Sequence, residues 1–287
     1  MLILTFVTIL WAFSFSLIGV YLATDVDPYI AVFIRMVFAA ALLLPFLRLH
    51  DVSRRYAIKL ACIGAVQIGL MYILLYHAFG YLSVPEILLF TIFTPLYIAL
   101  IDECFISRRA IPMAWWLAAI LSVAGAAIIR FEQPTGDFWW GFLLIQGANI
   151  AFAAGQVAYK HLAKENTQQQ IHHYGLFFIG ALIVSGVGSL LFADWSRLPH
   201  TTLHWGVLVW LGLGASGVGY LLWSMASKKV NIGQLATMNN LLIPAGILVN
   251  VLVWQSSINW LQFICGGLII VGAVYLASKT QRKSGLR

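Results

Sequence analysis

Along almost its whole length the chain is cut into apolar runs of membrane-spanning size, and that division constrains the fold more than any other feature. A spanning helix needs about 20 mainly apolar residues. Reading between charges and Pro/Gly punctuation predicts ten such runs, at residues 2–23, 29–49, 60–82, 84–101, 111–129, 138–159, 174–193, 203–226, 232–254 and 260–277. With 61% hydrophobic and 9% charged residues, the chain has too few charges to clothe a water-soluble fold, whereas lipid accepts a helix that is apolar all round. The expected fold class is an all-α integral membrane protein of ten transmembrane helices. The first run lacks the positive flank and small-residue cleavage site of a signal peptide, so it is read as a helix. Short connections make neighbouring helices antiparallel and confine any chemistry to the bundle.

The net charge of +7 is a topology signal. With a cytoplasmic N-terminus, the inner loops and tail hold 14 Lys and Arg, from Arg48 to Arg287, whereas the outer loops hold only Arg130 and Arg197. Both termini are thus expected in the cytoplasm, and the basic tail can touch anionic lipid. No folded basic module accompanies this charge, so nucleic acid is not an expected partner. Cys62, Cys104 and Cys265 are odd in number and lack metal-ligand spacing. Neither a disulfide framework, a metal nor a cofactor is expected.

The second half of the chain repeats the first weakly. Ala78 to Pro95 reads AFGYLSVPEILLFTIFTP, and Ala226 to Pro244 reads ASKKVNIGQLATMNNLLIP, so that Ala78 meets Ala226 and Pro95 meets Pro244 after one inserted residue. Each copy holds five runs, and an odd number gives the copies opposite orientations in the membrane. The expected organisation is a five-helix repeat at 1–130, a linker at 131–137, an inverted second repeat at 138–278 and a cytoplasmic tail at 279–287. Inverted repeats of this kind occur in secondary transporters, which expose an interfacial site alternately to each side.

Short motifs add a family resemblance. Leu10-Trp11-Ala12-Phe13-Ser14 opens the chain, Phe33-Ile34-Arg35 precedes Ala39-Ala40-Ala41, and Asp102-Glu103 ends the fourth run. In this order they resemble the EamA group of the drug/metabolite transporter superfamily, with Ala12 departing from that group's Gly and Trp254-Gln255 lacking the Glu in the second half. The resemblance implies a ten-helix carrier of the inner membrane, an exporter or exchanger of amino acids, amines, carboxylates or related metabolites.

Ionisable groups inside a span are costly and mark candidate sites. Arg35, His77 and Glu86 are the candidates in the outer third: Arg35 for a carboxylate, Glu86 for an amine or a proton, His77 to tune either. Arg35 and Glu86 could equally form a structural ion pair, with Glu86 favouring a helix start after Pro85. Nearer the midplane the candidates are neutral: Trp11, Ser14, Gln67, Tyr76, Thr91, Asn149, Asn239 and Asn240. Their amide, hydroxyl and ring groups suit a small polar solute, and interhelical bonding is the competing role. Pro95 and Pro244, at matched positions, are candidate hinges or static kinks.

The expected function is a monomeric secondary transporter that moves a small amino acid-like metabolite by alternating access, with or without a coupling proton. A channel or structural membrane subunit is the alternative, and an enzyme is disfavoured for want of convergent catalytic groups.

Overall fold

The computed structural model describes residues 2–103, 138–162, 165–230, 232–255 and 259–283, with isolated positions between 113 and 128. Most of the fifth apolar run and the expected linker at 131–137 lie outside the described residues, as does Cys104. Among the described residues the chain is entirely helical. Seven helices are long and apolar enough to cross a membrane: α1 (Leu2–Tyr21), α2 (Pro28–Phe46), α3 (Arg54–Ala78), α4 (Val84–Glu103), α5 (Phe138–Lys160), α6 (Thr167–Phe192) and α7 (Thr202–Ser227). They correspond to the first four apolar runs and to the sixth, seventh and eighth. The ninth run is split into α8 (Ile232–Asn240) and α9 (Leu242–Trp254). The last helix, α10 (Trp260–Lys283), continues past the expected start of the tail.

Two helices begin earlier than their apolar runs because polar caps extend them into a hydrophilic first turn. The Asn166 side chain accepts from the Gln169 N–H at 2.8 Å while Gln169 returns a bond to the Asn166 N–H, so α6 begins at Thr167. Ser53 similarly accepts from the Tyr56 N–H and starts α3 at Arg54.

Four spans are irregular at matched places. Ala65–Leu70 of α3 and Trp210–Val218 of α7 are π-helical. The register that pairs Ala78 with Ala226 also pairs Leu70 with Val218, the last residue of each wide turn. In α4 a 3-10 turn at Thr91–Phe93 precedes Pro95, and in the ninth run a break at Leu241 precedes Pro244. Both prolines therefore stand in the first turn of a resumed helix, where a missing N–H is best tolerated.

Glycines let backbones meet where α3 crosses α6. A Cβ on Gly64 would lie 1.8 Å from the Phe177 carbonyl oxygen, and one on Gly180 would lie 1.8 Å from that of Ala61. This small-residue contact has little apolar driving force in lipid and depends on close approach. Outward-facing Trp139, Trp140, Trp195, Trp205 and Trp260 are exposed, as interfacial aromatics should be. Cys62 and Cys265 are free thiols.

Candidate functional site

The interrupted helices surround a central cavity with about 600 Å³ of space between its atoms. Trp11, Ser14 and Ile18 of α1 form one wall, and Met71, Tyr72 and Leu75 of α3 form another. Asn149 and Phe152 of α5, Tyr220 of α7 and Asn239 of α8 complete it, with Thr91 and Thr94 at the break in α4. Its apolar lining with a few polar groups has the usual composition of a small-molecule site.

Five of the residues singled out from the sequence meet here: Trp11, Ser14, Thr91, Asn149 and Asn239. Trp11 is fixed by its Nε1, which donates to the Ala215 carbonyl inside the wide turn of α7 at 2.9 Å, and by the Tyr220 and Trp223 rings at 4.9 and 4.7 Å. Asn149 Nδ2 donates to the Phe90 carbonyl at 2.8 Å, where the helical ladder of α4 is interrupted. Ser14, Thr91 and Asn239 each bond a carbonyl of their own helix.

Arg35 of α2 is completely buried behind the cavity wall. Its Nε donates to Ser216 Oγ at 2.6 Å, its Nη1 to Tyr76 Oη at 3.2 Å and its Nη2 to Tyr72 Oη at 2.6 Å. The guanidinium carbon also lies 3.9 Å from the centre of the Tyr72 ring. Ser216 reaches it because α2 and α7 approach closely at Gly212, where a Cβ would come within 2.5 Å of Phe38 Cβ. Among the described residues no carboxylate pairs with Arg35. Neutral oxygens solvate part of its five-donor fork without cancelling its charge.

The other candidates stand apart. Glu86 is occupied at the start of α4, where its Oε2 accepts from both the Ser83 N–H and Ser83 Oγ at 2.7 Å. It makes no ion pair with Arg35. His77 Nδ1 lies 2.7 Å from the Ile73 carbonyl, and its ring packs edge-on to Tyr29. Gln67 and Asn240 are buried but do not line the cavity. Tyr220 and Ser216 are not singled out by the sequence, whereas Tyr72 is one of the deep aromatics that the sequence offers either as a cavity wall or as packing between helices, and it lines the cavity. Its signal was present in the one-turn spacing of Tyr72 and Tyr76 opposite a single intramembrane Arg.

One end of the bundle is tied shut beyond the cavity. Lys160 Nζ donates to the carbonyls of Ser227, at 2.7 Å, and Val230, while His161 Nε2 lies 2.5 Å from Asp102 Oδ1. These bonds join the ends of α4, α5 and α7. Among the described residues no cluster of His, Cys, Asp and Glu could hold a metal ion.

The pattern of the EamA-like transporter family matches residues 1–131 and again 139–278. The chain is 44% identical over 279 residues to the biotin transporter of Salmonella typhimurium, covering 97% of this chain and 93% of the relative. It is 43% identical over 279 residues to the biotin transporter of Escherichia coli K12, with the same coverage of both chains. It is also 45% identical over 277 residues to the probable biotin transporter of Pseudomonas aeruginosa, covering 95% of this chain and 96% of that one. A solved crystal structure of 18% sequence identity shares the fold, with a TM-score of 0.75 over 98% of each chain. A helical bundle with a central cavity and these relatives have one reading: the chain is a multi-pass membrane transporter, not an enzyme, and belongs to the EamA-like transporter family.

Proposed function

We propose that this protein carries biotin, or a closely similar carboxylate bearing a cyclic urea, across the inner membrane by alternating access. The observation that carries the reading is the 43–45% identity, over nearly the full length, to proteins named as biotin transporters. The site supports it chemically. A buried guanidinium with no carboxylate partner among the described residues, one tyrosine away from the cavity, suits the single carboxylate of such a solute. Asn149, Asn239, Thr91 and Thr94 supply neutral polar groups for the urea, and Trp11, Phe152 and Tyr220 an apolar surface for its rings and aliphatic chain. The amino acid-like solute expected from sequence gives way to a monocarboxylate. Among the described residues lining the cavity there is no Asp or Glu to meet an α-amino group.

The organisation proposed is two five-helix repeats of opposite orientation, with both termini cytoplasmic. Two successive stretches matching one family, and matched π turns and proline-associated breaks, support the duplication. The excess of Lys and Arg in alternate loops supports the orientation.

Purified protein in liposomes should take up labelled biotin saturably and exchange it for unlabelled biotin inside. Uptake of amino acids but not of biotin would overturn the substrate, and non-saturable flux would overturn the carrier.

A further inference from the structure

Two glutamines stand one helical turn beyond the cavity, both displaced toward the end of the bundle closed by Lys160. Gln67 precedes the cavity-lining Met71 of α3 by four residues, and Gln156 follows the cavity-lining Phe152 of α5 by four, about 6 Å along each axis. Gln67 reaches α5 at Gly155, the residue before Gln156. The Gln67 side chain fills the space over Gly155, where a Cβ would meet its Cβ at 2.2 Å and its Oε1 at 2.9 Å. Gln67 is 1% exposed and Gln156 2%.

Three of the four amide atoms lack a partner. Gln67 Oε1, Gln156 Oε1 and Gln156 Nε2 have no hydrogen-bond partner among the described residues, and the two side chains do not bond each other. Trp223 Nε1 is in the same condition, one turn beyond the cavity-lining Tyr220 and on the way to Ser227, whose carbonyl receives Lys160. A buried polar group without a partner is a standing cost, and replacing it by an apolar group of the same shape is often neutral or favourable. These four atoms stand at one level, on helices whose neighbouring turns line the cavity, and a polar group at this level in another conformation of the carrier would satisfy them.

We infer that Gln67 and Gln156 form a second polar station, one turn beyond the cavity, that takes the cyclic urea of the solute as it passes toward the Lys160 end. A cyclic urea has one carbonyl acceptor and two N–H donors, complementary to primary amides. The inference rests on the carrier reading above, and deepens it by placing a second contact on the route.

The test uses the full-length protein in liposomes, with labelled biotin and the near-isosteric variants Gln67→Met and Gln156→Met. The station predicts a fall in kcat of about fivefold or more in each, the loss expected when a neutral hydrogen bond is missing from a rate-limiting step. KM should stay within about twofold of the parent, because entry to the first cavity is unaltered, and the melting temperature should be unchanged or higher. Turnover within about twofold of the parent in both variants would overturn the station. So would a rise in KM alone, which would put both amides in the first cavity, or a fall in kcat matched by a fall in melting temperature in both, which would make them structural. Failure of the parent to carry biotin would instead overturn the substrate reading, and the station with it.

Discussion

Arg35 Nη2 bonds Tyr72 Oη at 2.6 Å, yet of the two residues only Tyr72 lines the cavity. The phenol therefore stands between the charge and the cavity, and under the proposed function it would solvate the guanidinium in the empty carrier and yield to a carboxylate. The relationship makes predictions of opposite sign for its two members.

Arg35→Lys keeps the charge but removes the planar fork that serves Ser216, Tyr72 and Tyr76 together. Biotin uptake per folded molecule should fall at least about tenfold, the size expected for losing a charged hydrogen bond. Initial uptake rates, normalised to detergent-extracted monodisperse protein, check this. Parental rates would remove Arg35 from the site.

Tyr72→Phe leaves the ring against Arg35 and deletes only the oxygen. Solute then has no bond to displace, so KM should fall by about two- to fivefold, while the empty protein loses about 1 kcal/mol or more of stability from the stranded donor. A KM series with thermal denaturation in the absence of solute decides it, and an increase in KM would show that the hydroxyl binds solute instead of shielding Arg35.

Gly180→Ala places a methyl 1.8 Å from the Ala61 carbonyl oxygen, a backbone atom that cannot rotate aside. Overpacking of this kind costs about 1–3 kcal/mol. The variant should melt at a lower temperature than the parent, whereas Gly206→Ala, with nothing within 4 Å of the added carbon, should not.

Glu86→Gln keeps an oxygen to accept from the Ser83 N–H, as Gln169 does for Asn166 in α6, and removes only the negative charge at the helix start. A modest stability loss of about 0.3–1 kcal/mol is expected. Any dependence of uptake on pH should survive unchanged, and its disappearance in the variant would return Glu86 to a coupling role.

The sequence made the membrane, the lengths of most spans and the presence of an intramembrane Arg legible, because hydropathy and charge act residue by residue. Five candidates found at the cavity are those whose polar groups sit near midspan on α1, α4, α5 and α8. What hydropathy could not convey is rotation. Asn240 adjoins the cavity-lining Asn239 yet does not line the cavity, Gln67 lies one turn beyond it, and Tyr220 and Ser216 depend on the π turn that re-aims one face of α7. The starts of α3 and α6 also extend past the apolar runs, since a capped helix can continue through polar residues that a hydropathy reading excludes. His77 and Glu86 look like site residues from charge alone, but local bonds within their own helix segments occupy both.

The crossing of α3 over α6 brings backbone against backbone. With Gly64 beneath the Phe177 carbonyl and Gly180 beneath that of Ala61, no side chain separates the two backbones, so sliding by even a fraction of a turn would drive peptide into peptide. Tilting about the contact meets no such obstacle. Under the proposed alternating access, α3 and α6 would keep this contact and move relative to one another only by tilting about it.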